Sequence, residues 1–188
     1  MKYFLTQNFR MIWVVTLLSF FITHPAKAQY PTNNGINYLT DTSINFNDLI
    51  GKFKGRIIYV DIWATWCAPC RHELQLKKDM LNFQAFALKN NIVVLYICCD
   101  KNSNRWKQFI NANKLTGYHI LATPYINKEF HTTFSSIQTR LGKPKRSFYI
   151  PRHMIIDQTG MVADSTAAQQ GSESAYRQLG KMLGKAAL

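Results

Sequence analysis

Acidic side chains are scarce in this sequence. Its 188 residues hold 10 Asp and Glu against 23 Lys and Arg, for a formal charge of +13 at pH 7. Such a balance can favour acidic partners, nucleic acid or an anionic surface. The basic residues are scattered, however, and no long run of them marks a nucleic-acid or membrane tract. A long apolar run is also missing: Met11 to Ile22, broken by Thr16 and Ser19, falls short of the roughly 20 residues that a spanning helix needs. There is no internal repeat and no low-complexity tract. No cysteine stands beside Ala28, so a lipoprotein is not indicated.

What does stand at the start is a leader. Lys2 and Arg10 precede the apolar run, and Ala26-Lys27-Ala28 is an A-x-A pattern followed by Gln29. This reads as a secretory signal peptide cleaved after Ala28, with an uncleaved anchor as the competing reading. Without Lys2, Arg10 and Lys27, 20 of the 23 Lys and Arg remain against the 10 acids. Export argues against nucleic acid as a partner and sets the chain in an oxidising environment. Residues 29–43, rich in Asn, Thr, Gly and Pro, read as a mobile lead-in. Residues 44–188 are enough for one domain with its own core.

That domain is organised around residues 57–71. Ile57 to Ile62 is an apolar, β-branched run that reads as a buried strand. It leads into Cys67-Ala68-Pro69-Cys70, and a helical pattern follows with Leu74, Leu81, Ala85 and Leu88 on its inner face. The first turn of a helix has free N–H groups and a partial positive charge, which lowers the pKa of a thiol placed there. Cys67 at the mouth of the turn would be exposed and would attack; Cys70, inside it, would resolve the mixed disulfide. Pro69 suits a helix start, because its φ is already helical and it has no N–H to leave unpaired. A zinc site at Cys67 and Cys70 lacks a second ligand pair at useful spacing.

The remaining elements are read more coarsely. Ile44 to Ile50 holds a short strand or turn, and Ile92 to Cys99 a parallel strand covered on both faces. Cys98 and Cys99, adjacent on a strand, point to opposite faces; they read as inert small apolar residues, since neighbours bridge only with strain. Ser103 caps a helix whose inner face is Trp106, Phe109 and Ile110. Tyr118 to Leu121 is a strand, residues 127–141 a helix, and Gly142 to Arg146 a basic loop. His153 to Ile156 and Met161 to Ala163 form a hairpin around Asp157-Gln158-Thr159-Gly160. Ser172 caps a last helix with Tyr176, Leu179 and Leu183 on one face.

The segment Val60-Asp61-Ile62-Trp63-Ala64-Thr65-Trp66-Cys67-Ala68-Pro69-Cys70-Arg71 resembles the active site of the thioredoxin superfamily, and most of all its secreted TlpA-like and ResA-like members. The resemblance implies an α/β thioredoxin-like fold, with a mixed central sheet flanked by helices, over about residues 40–185. It implies that Cys67 attacks and Cys70 resolves, and that Ile150-Pro151 is a cis bond facing them. Such a bond presents a backbone edge to a substrate chain, and proline takes it cheaply. Asp61, costly to bury unless used or paired, then accepts the proton of Cys70 through water; a structural carboxylate is the competing reading. Trp66, Ala68, Pro69, Ile150 and Pro151 would meet the substrate, and Trp63 would pack below the site. Arg71, His72 and Glu73 read as a solvated helix face.

The implied activity is thiol–disulfide exchange outside the cytoplasm, with no cofactor, on protein substrates bearing disulfides or cysteines. Relatives lean toward reductants, some serving cytochrome c maturation. A reductant in an oxidising compartment needs an electron donor, here a membrane-borne one. A monomer is expected. An oxidant or isomerase, a peroxidase of the peroxiredoxin type, and a binding module without catalysis are the alternatives. The sequence departs from the family at Gln75, where many members have a kinking proline, at Arg152, where many have threonine, and in its long segment 122–148.

Overall fold

The computed structural model describes residues 35–140 and 143–184. The leader, its cleavage after Ala28 and residues 29–34 of the lead-in lie outside the described residues, as does Gly142. In chain order the elements are β1 (Ile36–Tyr38), α1 (Phe46–Gly51), β2 (Ile58–Trp63), α2 (Ala68–Leu74), α3 (Lys77–Lys89), β3 (Val93–Cys98) and α4 (Ser103–Asn113). They continue with β4 (Gly117–Leu121), α5 (Pro124–Thr133), β5 (Ser136–Arg140), β6 (Lys143–Ser147), β7 (Arg152–Ile156), β8 (Val162–Asp164) and α6 (Glu173–Met182).

Six strands form one mixed sheet in the order β1-β4-β3-β2-β7-β8. The pairs β1–β4, β4–β3 and β3–β2 are parallel; β2–β7 and β7–β8 are antiparallel. Helices cover both faces, so β2 and β3 are buried over their whole length, as their unbroken apolar runs require. The two-residue period of a strand divides β2 between the layers. Ile58, Val60 and Ile62 pack with Phe46 and Leu49 of α1 and with Ile126 and Phe130 of α5. Tyr59 and Trp63 face the other way, into a core shared with Leu74 of α2, Phe83 of α3, Trp106 of α4 and Leu179 of α6. This is the mixed-sheet α/β architecture that the resemblance implies.

Several local readings change. Ile36–Tyr38, inside the stretch read as a lead-in, pair with Gly117–His119 as an edge strand. The stretch 44–50 is helical, because the Asn45 side chain caps it by accepting the Asp48 N–H at 2.9 Å. Asn102, not Ser103, caps α4, accepting the N–H groups of Asn104 and Arg105. The helix placed at 127–141 begins and ends earlier. Thr123 caps it by accepting the Ile126 N–H, Pro124 opens it, and it stops at Thr133. The chain then forms the separate β5–β6 hairpin, where a helix end and a basic loop are expected.

The long helix after Cys70 is in fact two. Gln75 ends α2 with its N–H on the carbonyls of Arg71 and His72, and α3 starts at Lys77. The break shifts the helical phase. Leu74 stays buried, but Met80, Phe83 and Ala87 form the inner face of α3, while Leu81, Ala85 and Leu88 are exposed. The chain thus interrupts this helix at Gln75 and Leu76, with no proline at the break.

Gly117 opens β4 with φ +140, and a Cβ there would lie 2.7 Å from the Val94 carbonyl oxygen of β3. Gly117→Ala is therefore expected to destabilise the fold by roughly 1–3 kcal/mol. Urea titration will check this, and an unchanged midpoint would refute it.

Candidate active site

The site forms where β2 hands over to α2. Cys67 is the N-cap of α2, and its Sγ accepts the Cys70 N–H at 3.3 Å. The two cysteines form a disulfide, with Cα atoms 5.3 Å apart. Pro69 sits in the first turn. The preceding loop is held from a neighbouring strand end: Asp100, just after β3, accepts the Thr65 N–H on Oδ2 at 3.1 Å. In this oxidised form the openness expected of Cys67 is not met. It keeps 5 % of its exposure and Cys70 1 %, since each sulfur now closes the other's free side. Trp66 is 68 % exposed, so it stands out from the surface instead of lying flat on it. Trp63 is fully buried, its ring centroid 5.0 Å from that of Phe109.

The Ile150–Pro151 peptide bond is cis. In the antiparallel register of β2 and β7, Ile62 stands opposite Arg152. Pro151 therefore lies at the end of the sheet from which β2 runs on to Cys67. Arg152 donates to the Ser165 carbonyl at 3.2 Å and lies over the Phe148 ring.

Asp61 is 2 % exposed and shares the strand face of Tyr59 and Trp63. His153 stands directly opposite it on β7. The His153 Nε2 lies 3.9 Å from Asp61 Oδ2 and 3.2 Å from Glu73 Oε2 of α2, near enough for ion pairing though not aligned for a linear hydrogen bond. Burial, opposed by His153 and reinforced by Glu73, raises the Asp61 carboxyl to a net pKa of about 6. For His153, burial works against the cation, but Asp61 and Glu73 outweigh it and the net shift is upward. Glu73 is thus not merely part of a solvated helix face: it is only 20 % exposed and turns toward the strand. His153 was not evident as a site residue in the sequence. The available signal was a histidine in an otherwise apolar strand, two residues after Pro151.

Cys98 is buried and Cys99 partly so, and both are free thiols. Burial raises both pKa values, that of Cys99 to about 11, which leaves them poor nucleophiles near neutral pH. Among the described residues no group of three or more His, Cys, Asp or Glu is arranged to hold a metal ion.

The structure thus holds a Cys67–Cys70 disulfide at a helix start, a buried carboxylate on the strand that leads into it, and a cis-proline at the start of the neighbouring strand. A family model described as thioredoxin-like matches residues 55–162, more than half of the chain, and the chain belongs to that family. Solved structures agree in fold. A thiol:disulfide interchange protein from Bacteroides sp. is 19% identical, covering 81% of this chain and 86% of its own, at a TM-score of 0.54. A thiol:disulfide interchange protein of the thioredoxin family from Chlorobium tepidum is 22% identical over 70% of this chain and 82% of its own, at 0.54. The thioredoxin domain of a thiol-disulfide oxidoreductase from Bacteroides vulgatus is 16% identical over 73% of this chain and 84% of its own, at 0.54. At these identities the likeness is one of fold.

The raised Asp61 pKa sets a sign for stability. Between about pH 4, where an ordinary aspartate titrates, and pH 6, the folded protein keeps a proton that the unfolded chain has released. Asp61's contribution is therefore full below pH 4 and lost as pH rises through 6. His153, also raised, contributes below its ordinary pKa and loses that contribution as pH climbs above it. In urea titrations of the oxidised protein, Asp61→Asn is expected to gain on wild type from pH 4 to 7, by on the order of 1–3 kcal/mol. The same pH dependence in both proteins would overturn the assignment.

Proposed function

We propose that the chain is an extracytoplasmic thiol–disulfide oxidoreductase that reduces protein disulfides. The observation that carries this reading is the Cys67–Cys70 disulfide across the first turn of α2, above a strand face that buries Asp61. In the reduced enzyme the Cys67 thiolate is favoured by the free N–H groups of that turn, one of which, that of Cys70, already donates to Cys67 Sγ. It attacks one sulfur of a target disulfide; that S–S bond breaks, and the second target sulfur leaves as a thiolate and takes up a proton. Cys70 then loses its proton to Asp61 through a water and attacks Cys67 Sγ. The first target sulfur departs, and the Cys67–Cys70 disulfide holds the oxidation that the target has lost.

A carboxyl pKa near 6 suits Asp61 to this proton transfer close to neutral pH. His153 and the partly exposed Glu73 offer the proton a way on to solvent. Trp66, Ala68 and Pro69 on one side, and Ile150 and Pro151 on the other, are the residues that meet the target chain. The cysteines themselves carry the electron pair, so the cycle requires no cofactor. The leader pattern of residues 1–28 supports export. In an oxidising compartment the pair must be re-reduced, which calls for a membrane-borne donor. One copy of the chain contains every residue this cycle uses.

Cys67→Ser is expected to abolish insulin reduction, and Cys70→Ser to accumulate a mixed disulfide visible by mass spectrometry. Wild-type activity in Cys67→Ser would refute the reading. Asp61→Asn should slow turnover at pH 7 by about tenfold or more. A reduction potential near thioredoxin's, about −270 mV, is expected; one near −120 mV would reverse the direction of electron flow.

A further inference from the structure

A groove of about 880 Å³ opens between the Thr65–Trp66 loop, α2 and α4. It adjoins Cys67 through Trp66. Three cations line it: Arg71 of α2, Lys101 of the loop after β3, and Arg105 of α4. All three are exposed, and no carboxylate among the described residues lies within ion-pairing distance of any of them. Asp100, the acid in the lining, is already engaged by the Thr65 N–H and nearly buried. The lining therefore keeps a net positive charge, three cations against the one carboxylate of Asp100. Its apolar surface comes from Trp66 and from Phe109, half-buried on the α4 wall. An occupant that satisfied both would carry carboxylates and apolar side chains on one flexible strand.

We infer that this groove docks an acidic, apolar-containing segment of the target protein, next to the cysteine that reacts with Cys67. That the occupant belongs to a redox target rests on the exchange reading above; its charge and polarity do not. Among the described residues Trp66 is the one exposed tryptophan.

The test separates docking from chemistry. Two labelled peptides are made with serine in place of cysteine, one flanked by Asp, Glu and Leu, the other by Lys and Leu. Their binding to the oxidised protein is followed by fluorescence anisotropy. At low ionic strength the acidic peptide is expected to bind about tenfold tighter, as a few exposed ion pairs allow, and the preference should shrink in high salt. The double variant Lys101→Glu, Arg105→Glu should invert it. Lys54→Glu, in the turn before β2 at the opposite end of that strand, should leave it intact. Equal affinities, preference for the basic peptide, or a preference untouched by the double reversal would overturn the proposal. So would inorganic phosphate binding as tightly as the acidic peptide, which would make the groove an anion site. Reduction of the uncharged hydroxyethyl disulfide is measured alongside. Failure there would refute the exchange reading, while the anisotropy still decides on the groove.

Discussion

A strand covered by helices on both faces has no room for a charge, yet β2 carries one in its middle. An isolated ionised carboxylate in such a place costs several kcal/mol, and the arrangement around Asp61 answers that cost. The pleat points Asp61 to the α2 and α3 side, the antiparallel register of β7 sets His153 across from it, and α2 brings Glu73 within reach of His153. Elements from three separate parts of the chain meet at one acid. The consequence of this placement is a carboxyl whose pKa burial raises to about 6, the property that the proposed proton transfer would use.

The same junction explains the order of the cysteine loop. Cys67 caps α2 and its carbonyl accepts the Arg71 N–H, so the helix begins on the residue that would attack. Asp100 holds the Thr65 N–H from the end of β3, and the Cys67 N–H bonds back to the Ala64 carbonyl. The loop is therefore clamped from behind while Trp66 projects outward. The inner side of the loop is thus fixed, while Trp66, Ala68 and Pro69 are open to solvent on the outer side.

What could be read from the sequence was what depends on near neighbours. The β2 run, the Cys-x-x-Cys at its end, the β7–β8 hairpin and the Ser172 cap all follow from local pattern and local chemistry, and each is found in place. Sequence reasoning failed where a boundary changed the phase. Two residues between α2 and α3 are enough to turn Leu81 and Leu88 outward, because a helical stripe is defined only while the helix is unbroken. The Asn45 and Thr123 caps are local signals, whereas the pairing of β1 with β4 joins residues about 80 positions apart and leaves no local trace. His153 belongs to that second kind: its partners lie on other elements, and only register brings them together.

Charge shows the same limit. Along the chain the basic residues form no run, and a scattered pattern ordinarily means a solvated surface. Folding gathers what sequence separates: Arg71 comes from the helix of the cysteines, Lys101 from the loop after β3 and Arg105 from α4, and the three line one groove. A net positive protein attracts acidic partners from any direction, which affects rate more than pose. A local cluster beside an exposed tryptophan acts at shorter range and favours one orientation. An occupant of the proposed groove would meet three cations and Trp66 at once, which would fix its orientation as well as speed its arrival.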